Sequence, residues 1–452
     1  MIRFAMKNSK FNIPGNFRLK NTTLFLMLVV LVSISCKGQE KNFNVETSFE
    51  ESEVATYPVV GANQTGAYLP FLRDKRVAIV ANQTSVVFKP ENFIFMEDFW
   101  DETTRSYKQR QTQRWVFSKR THLVDSLLAH NIQVTKVFAP EHGFRGTADA
   151  GELVKDGKDS RTGVPIISLY GSNKKPTPEQ MKDLDVVIFD IQDVGARFYT
   201  YISTLHYVME ACAEAGIPLL ILDRPNPNIH YIDGPILEPT HKSFVGMHPI
   251  PVVHGMTIAE YAQMINGEGW LENGLKCELE IVPVKDYNRN MSYSLPIKPS
   301  PNLPNDKSIN LYPSTCFFEG TTLSEGRGTS MQFQIFGSPT LPKDTYTFTF
   351  TPQPNEGAKN PKFSGQLCYG KDLRGEDKLD YLNLQWLIDV YNATGKQASF
   401  FTNFFTTLAG TKTLQQQIEQ GMNAEEIRLT WKEGLEKYDL MRKAYMLYND
   451  GK

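Results

Sequence analysis

Polar and charged residues follow a series of short apolar segments that have the composition of β-strands. Asn82 follows the first segment, Glu141 the second, and Asp190 ends a later one. Ligands of open parallel α/β sheets bind beyond the carboxyl ends of the strands, so these positions are candidates for chemistry. Four neighbouring strands would bring acids, amides and guanidinium groups to one edge of the sheet. The other charged residues at these strand ends are His142, Arg145, Asp193, Arg197, Asp223 and Arg224.

Glu141 is the sharpest candidate for catalysis. It follows an apolar segment and Pro140, and Gly143 and Gly146 would let a ligand approach the backbone closely. A carboxyl group in a partly apolar cleft can keep its proton near neutral pH and give it to a leaving group. The alternative is a structural glutamate that caps a helix and pairs with Arg145.

Two aspartates at a later strand end have more than one interpretation. Asp190 and Asp193 can bind sugar hydroxyls or complete an acid/base pair, or they can cap the helix that follows. The residues that we expect to contact a substrate are Asn82, His142, Arg145, Asp190, Asp193, Arg197, Tyr201 and Arg327.

A second cluster of chemistry-bearing residues lies much later in the chain. The segment 317–329 contains Glu319, Glu325 and Arg327 together with three glycines. A glycine-rich loop with an arginine suits an anionic group, through backbone donors and a bidentate guanidinium. The segment lacks the GxxxxGK[ST] pattern and the third glycine of a dinucleotide fingerprint, so a ligand with a carboxylate is favoured over a nucleotide.

Several catalytic classes lack their motifs in this sequence. There is no GxSxG elbow, no HExxH and no CxxC, and the eight histidines have no ligand spacing. His142, His206, His248 and His254 are therefore interpreted as loop or core histidines, and Cys212 and Cys277 as small buried side chains. We expect no metal and no cofactor.

The elements that must position these residues alternate between strand and helix from Arg76 onward. Short β-branched runs joined by amphipathic helices predict a parallel sheet. The apolar stripe from Tyr201 to Cys212, with Gly216 after it, predicts a helix over 200–215 packed on the core. The fold class is therefore α/β, with a parallel-sheet domain over 57–254 and a smaller α+β domain over 255–452.

Two stretches complete this organisation. The segment from Gln83 to Lys119 has no clean period and is rich in aromatic and charged residues, which predicts an inserted loop or short helix at the rim of the site or over it as a lid. Beyond residue 255 the pattern predicts a helix, a strand within CELEIVPV, a long irregular stretch over 288–339, a strand within TYTFTFTP, and C-terminal helices including an amphipathic one over 424–448.

The N-terminal residues have the pattern of an export signal. Basic residues precede an apolar run from Leu24 to Val32, and Cys36 follows small residues, which predicts a lipoprotein leader over 1–36 with Cys36 as the lipidated residue. The alternative is an ordinary secretory leader cleaved nearby. The polar segment 37–56 is typical of a flexible tether. Either leader predicts an exported protein, periplasm-facing or on the cell surface, that meets a membrane only through the anchor.

Composition restricts the partners. The chain has 452 residues, of which 41% are hydrophobic and 22% charged, and its formal net charge is -2. This is the composition of a globular protein with a sizeable core, and it lacks the broad positive field that nucleic acid or an anionic membrane surface requires. A small neutral or anionic ligand is the expected partner.

Long blocks of the sequence resemble one known family. The blocks VAIVANQT, VFAPEHGFRG, SLYG, VVIFDIQDVGARFYTYISTL, LDRPNP, VVHGMTIAE and LYPSTCFFEGTTLSEGRGT are similar to those of the exo-β-N-acetylmuramidase (NamZ-like) family. The resemblance implies a Rossmann-like N-terminal domain and a smaller C-terminal domain, with the active site in the cleft between them. It also implies release of N-acetylmuramic acid from the non-reducing ends of peptidoglycan fragments, with Glu141 as the catalytic glutamate.

The residues and the resemblance together predict a mechanism. Glu141 would protonate the glycosidic oxygen, while Glu319, Glu325 or Asp190 activates water or attacks the anomeric carbon. Retention, inversion and assistance by the 2-acetamido group all remain open. Arg327 or Arg197 would recognise the lactyl carboxylate of the sugar. The competing interpretations are a lipid-anchored sugar-binding protein without turnover and a structural surface lipoprotein.

Overall fold

The computed structural model describes residues 57–101, 106–145 and 156–450, with the backbone alone for 94–101 and 106–114. The predicted leader, Cys36 and the predicted tether lie outside the described residues. Among the residues described, no helix is long and apolar enough to cross a membrane.

A seven-stranded sheet forms the centre of the molecule, and its order is β5-β6-β4-β1-β7-β8-β9. All neighbours are parallel except β5 and β6. Its members are β1 (Arg76–Ala81), β4 (Gln133–Ala139), β5 (Gly157–Lys158), β6 (Pro165–Ser168), β7 (Val186–Asp190), β8 (Leu219–Leu222) and β9 (Leu279–Val282). The α/β class is confirmed, and the four strands that end in candidate residues, β4, β1, β7 and β8, are adjacent.

Alternate residues of the central strands pack on opposite faces of this sheet. Val77 and Ile79 of β1 enter one apolar cluster, and Ala78 and Val80 enter the other. A strand that is buried on both faces must be apolar almost throughout, which is why these segments have no polar alternation. Polar side chains are therefore confined to the strand ends, where the candidate site lies.

The helices cover the sheet and build the C-terminal part. The predicted helix after residue 200 is present as Tyr201–Ala215, and Gly216 ends it in the left-handed conformation with φ 64°. The helices are α1 (Thr65–Leu72), α2 (Leu123–Ala129), α3 (Pro178–Met181), α4 (Tyr201–Ala215), α5 (Ile258–Gly267), α6 (Asp306–Thr315), α7 (Gln385–Ala393), α8 (Asn403–Ala409), α9 (Thr413–Glu419) and α10 (Ala424–Lys443).

The later residues are divided between the large sheet and a second, smaller one. The sequence predicted a strand within CELEIVPV and assigned it to the second domain. In the structure, Leu279–Val282 forms the edge strand of the large sheet, beside β8. The smaller sheet is antiparallel, in the order β10-β12-β11, with strands β10 (Ile335–Ser338), β11 (Phe348–Phe350) and β12 (Cys368–Asp372). The domain division after residue 254 stays a prediction.

The segment predicted as a loop or short helix is a long β-hairpin. Its strands β2 (Val86–Asp101) and β3 (Ser106–His122) pair with each other in antiparallel register. The prediction was wrong because cross-strand pairing, rather than a regular polar and apolar alternation, holds such a ribbon. At its base, Tyr57 contacts Phe88, Trp115 and Phe117 with ring centroids 5.2–6.0 Å apart.

Candidate active site

A cleft of about 980 Å³ lies at the carboxyl edge of the large sheet. One wall comes from the loops after β4 and β6 and from the start of α4. The other comes from the segments 300–333 and 357–362. Six of the sequence-predicted site residues line this cleft: Glu141, His142, Tyr201, Glu319, Glu325 and Arg327.

Glu141 is held on the sheet side of the cleft. Its Oε2 accepts a 2.6 Å hydrogen bond from Thr200 Oγ1 at the N-terminus of α4. Tyr170 also faces this carboxyl group. Burial raises the pKa of Tyr170, and its neighbour Glu141 raises it further. A half-buried carboxyl group with two hydroxyl partners is fixed in orientation and remains open to a ligand.

The backbone after Glu141 adopts an unusual conformation for its residue types. His142 has φ 68° and Gly143 has φ 76°, so two consecutive residues occupy the left-handed region. This conformation costs little for glycine but is uncommon for histidine, and such strain concentrates at functional sites. It turns the chain sharply enough to present both Glu141 and His142 to the cleft.

An arginine between two glutamates forms the facing wall. Arg327 Nη2 lies 2.5 Å from Glu319 Oε1, and Arg327 Nε lies 3.1 Å from Glu325 Oε1. Burial opposes the charge of Arg327, but the two carboxylates outweigh it and raise the pKa of Arg327. Burial first, and then the charge of Glu319, raise the pKa of Glu325. Glu319 is 21% exposed in its side chain and Glu325 only 3%, so Glu319 has the freer access to a ligand.

Lys362 locks the turn that carries these acids. Its Nζ donates to the carbonyl oxygens of Phe318, Glu319, Thr321 and Leu323 at 2.8–3.2 Å. An ammonium group has three protons, so four backbone acceptors exhaust its capacity. Lys362 is therefore a structural cation of the wall, although Glu325 Oε2 lies 3.8 Å away.

The remaining predicted site residues lie outside the lining of the described cleft. Asp190 accepts hydrogen bonds of 2.6 and 2.9 Å from Arg224, and both residues are buried. Asp193 accepts from the Gly195 amide at 2.6 Å, with His254 Nε2 3.3 Å away. These aspartates hold strand-end loops together and neither lines the described cleft, so their expected contact with substrate stays a prediction.

Arg197 is also inside the protein rather than in the cleft. Its side chain is 0% exposed, and its two terminal nitrogens donate to the carbonyl oxygens of Pro235, Ile250, Leu408 and Ala409 at 2.7–3.0 Å. Burial lowers the pKa of Arg197 to about 9. Through these four hydrogen bonds, the guanidinium group of Arg197 connects α8 to the segments of Pro235 and Ile250. Both terminal nitrogens are engaged, so neither is available to a substrate carboxylate.

Two further predicted contacts support the cleft from outside its lining. Arg145 pairs with Asp159 at 2.8 Å and with Asp125 at 3.6 Å, so its partners are aspartates rather than a substrate. Asn82 is buried in the turn after β1, where its Oδ1 accepts from Thr84 N at 2.8 Å and from Thr84 Oγ1 at 2.6 Å. Both residues shape the loops that present the site.

The buried histidines and acids away from the cleft are engaged with each other. His248 Nε2 lies 3.0 Å from His206 Nδ1, and His248 Nδ1 lies 2.8 Å from Tyr261 Oη. Among the described residues, one carboxylate group has the spacing of a cation site, formed by Glu210, Glu214 and Glu272. Lys175 already pairs with Glu210 and Glu214 there.

The structure also adds residues that the sequence analysis missed. Thr200 binds Glu141, and Tyr170, Lys174 and Phe244 line the same side of the cleft. Tyr170 and Lys174 follow β6, so the strand-end rule could have found them had it been applied to that strand. No local pattern marks Phe244, which arrives from a loop after β8.

Comparisons with known proteins agree with this arrangement. The model of the N-terminal domain of the exo-β-N-acetylmuramidase NamZ matches residues 109–307, and that of its C-terminal domain matches residues 310–448. The peptidoglycan β-N-acetylmuramidase NamZ of Bacillus subtilis (strain 168) is 41% identical over 337 residues, which are 70% of this chain and 80% of that protein.

Two solved structures of DUF1343 family proteins from Bacteroides fragilis NCTC 9343 are also similar. One has 43% identity and a TM-score of 0.74, and the match covers 88% of this chain and all of that one. The other has 26% identity and a TM-score of 0.70, over 87% of this chain and all of that one. With both family models matching in chain order over most of its length, the chain belongs to the NamZ family of exo-β-N-acetylmuramidases, a family of glycosidases.

Proposed function

We propose that this protein releases N-acetylmuramic acid from the non-reducing end of peptidoglycan fragments by hydrolysis of the β-1,4 bond to N-acetylglucosamine. The observation that carries the proposal is the cleft itself, which is lined by Glu141 and by the group formed by Glu319, Glu325 and Arg327. Most glycosidases use a pair of carboxyl groups that flank the scissile bond. The family to which the chain belongs indicates that this sugar is N-acetylmuramic acid.

Glu141 is the proton donor in this proposal, and Glu319 is the second carboxyl group. Thr200 orients Glu141, which is half-buried at the wall of the cleft. Arg327 pairs with Glu319 at 2.5 Å, which fixes the orientation of this second carboxyl group. Glu325 is less exposed than Glu319 and forms a second ion pair with Arg327.

The decisive experiment measures free N-acetylmuramic acid released from the disaccharide N-acetylmuramyl-β-1,4-N-acetylglucosamine. The control is the isomer with N-acetylglucosamine at the non-reducing end, which should yield no product. Turnover of the first disaccharide alone supports the proposal. Tight binding without turnover contradicts it and indicates a sugar-binding protein instead.

Glu319 has its own test in the same assay. Glu319→Gln should lower kcat by two or more orders of magnitude, on the scale of a lost catalytic acid or base. Proton NMR of the first anomer formed by the wild type then distinguishes retention from inversion. A Glu319→Gln variant with nearly full activity would assign the second role to another carboxyl group.

We also propose that the enzyme works outside the cytoplasm in cell-wall turnover, anchored through a lipidated Cys36. The leader pattern before Cys36 supports this location. Mass spectrometry of the mature N-terminus from the native host tests it. A diacylated Cys36 supports the anchor, and an unmodified N-terminus nearby contradicts it.

A further inference from the structure

The proposed substrate carries a negative charge that the cleft must accommodate. N-acetylmuramic acid differs from N-acetylglucosamine by a lactyl ether on O3, which ends in a carboxylate. Glu141, Glu319 and Glu325 all line the cleft, so a carboxylate that enters it lies near several acidic residues. An enzyme selective for this sugar therefore needs a cation within reach of O3.

Three cations line the far wall, Arg327, Lys359 and Lys362, and two of them are already used by groups of the wall. Arg327 is shared by Glu319 and Glu325, and a third carboxylate could bind it only by breaking a buried ion pair, which is costly. Lys362 donates to four backbone carbonyl oxygens. Neither has capacity left for a substrate anion.

Lys174 on the near wall is in a different situation. Its Nζ lies 5.1 Å from the ring centroid of Phe244, a cation–π contact between two residues that line the cleft. Phe244 in turn lies 6.2 Å from the ring of Tyr170, which faces Glu141. Among the described residues, no carboxylate lies within ion-pair distance of Lys174. The ring of Phe244 is the partner of its ammonium group there.

The loop that carries Lys174 is well anchored. Asn173 Nδ2 donates to the carbonyl oxygen of Ser168 at 2.7 Å, and Gly171 turns the chain with φ 75°. On the other side, Lys175 pairs with Glu214 at 2.6 Å and with Glu210 at 3.4 Å. A lysine between two fixed neighbours has less freedom to lose when it binds an anion.

The position of Lys174 also fits the chemistry of the sugar. The proton donor must reach the glycosidic oxygen on C1, whereas the lactyl group is on O3, across the pyranose ring. One side chain cannot serve both atoms, so the anion receptor must be displaced from Glu141. Glu141, Tyr170, Phe244 and Lys174 form a series of neighbouring side chains that line the cleft, and the two aromatic rings offer a surface on which a sugar ring can pack.

We propose that Lys174, held against Phe244, binds the lactyl carboxylate of the terminal N-acetylmuramic acid and sets the preference for this sugar. The proposal rests on the function proposed above. It replaces Arg327 and Arg197 in the role that sequence reasoning gave to an arginine. Lys174 is a binding residue and takes no part in the transfer of the proton.

The test compares two substrates in the wild type and in Lys174→Gln. One is the N-acetylmuramyl-β-1,4-N-acetylglucosamine disaccharide, and the other is the same disaccharide with its lactyl carboxylate converted to a methylamide. Lys174→Gln should raise KM for the acid about tenfold, the equivalent of 1.4 kcal/mol of binding, with kcat little changed. KM for the amide should stay within about twofold, since that group cannot form the ion pair.

Three controls keep the interpretation specific. Lys174→Arg keeps the charge and should retain most of the preference for the acid. Lys175→Gln removes the same charge one residue away and should leave KM for both substrates unchanged. Melting temperatures of all variants show that they are folded.

Two results would overturn the proposal. One is an equal rise in KM for acid and amide in Lys174→Gln. The other is a loss of the preference in Lys359→Gln instead, which would move the receptor to the opposite wall. If the wild type hydrolyses neither disaccharide, the proposed function fails, and calorimetric titration with N-acetylmuramic acid still tests Lys174 alone: equal binding by wild type and Lys174→Gln contradicts the proposal, and weaker binding by the variant supports it.

Discussion

Glu141 and Asp190 occupy equivalent places at the ends of parallel strands, but they differ in exposure and in their hydrogen-bond partners. Each follows or ends a parallel strand of the large sheet, and β1 alone separates β4 from β7. Asp190 is 0% exposed and is bound by both Nε and Nη2 of Arg224. Glu141 is half-buried, accepts a hydrogen bond from Thr200 and faces a cleft.

This difference shows what the strand-end rule can and cannot select. The rule places both carboxyl groups at the ligand-binding edge of the sheet. A carboxylate that a guanidinium group satisfies in a buried position is part of the framework, because removal of either partner leaves an uncompensated charge. A carboxyl group open to a cleft can exchange its proton with a ligand. Catalytic candidates are therefore separated by exposure and partners, and not by residue type.

The largest effect expected from this comparison is on the activity of Glu141→Gln. The amide preserves shape but has no proton to donate to the glycosidic oxygen, so kcat should fall by about 10²–10⁴. Release of N-acetylmuramic acid measures the loss, and thermal melting should show unchanged stability. A variant that keeps more than about a tenth of wild-type activity would fall outside the range of general acid catalysis and exclude Glu141 as the acid.

The matched change on the framework side is Asp190→Asn. It leaves Arg224 charged and unpaired in the core, so the free energy of unfolding should fall by about 3–5 kcal/mol while the folded fraction keeps its activity. Urea denaturation measures this change. The double variant Asp190→Leu with Arg224→Met should recover part of the stability, because an apolar pair leaves no buried charge. Unchanged stability together with lost turnover would place Asp190 in the catalytic machinery.

A smaller effect is expected at the residue that orients Glu141. Thr200→Val keeps the shape of the side chain and removes the hydroxyl donor, so kcat should fall by up to about tenfold, the upper range for one hydrogen bond, with KM unchanged. Thr200→Ser should restore kcat. Thr204→Val is the control, since Thr204 Oγ1 donates to a backbone oxygen at 3.4 Å instead. A rise in KM alone would indicate a contact with substrate.

The smallest effect concerns the loop that follows Glu141. Arg145 lowers the pKa of Asp159 to about 2, below the ordinary value of 3.8. A lowered pKa in the folded state means that the stabilisation is present above about pH 4 and is lost as the pH falls through about 2. Because Arg145 is 34% exposed, solvent screening limits the contribution to about 1 kcal/mol.

Urea denaturation between pH 5 and pH 2.5 tests this contribution. The wild type should lose roughly two thirds of this contribution, about 0.6 kcal/mol, more than Asp159→Asn over this range, since the titrating group is absent from the variant. Equal losses in the two proteins would show that Asp159 and Arg145 do not hold the loop.

Much of the fold could be predicted from local pattern. Apolar β-branched runs identified the parallel strands, since a strand buried on both faces cannot tolerate polar residues in its interior. Spacing and Gly216 identified the helix over 201–215, because a left-handed residue after an apolar stripe ends a helix. Polar residues at strand ends identified the edge of the sheet where the site lies.

Other features depended on contacts that no local pattern records. The hairpin 86–122 is held by pairing between two strands, neither of which has a regular period alone. Leu279–Val282 joins the large sheet beside β8 after a long separation along the chain. Arg197 was expected in the cleft but binds carbonyl oxygens more than 200 residues away, such as Leu408 and Ala409.

The α/β class and the sheet edge with the candidate residues followed from local sequence, because the period of apolar residues and the polar residues at strand ends are local features. The interpretation of Glu141 as the catalytic acid stays a prediction. Local sequence left open which acids line the cleft and which cations already have partners within the protein. Thr200 reaches Glu141 across 59 positions of sequence, and Arg224 reaches Asp190 across 34. Such pairings depend on how the chain packs in three dimensions, and the residue types at the strand ends leave them open.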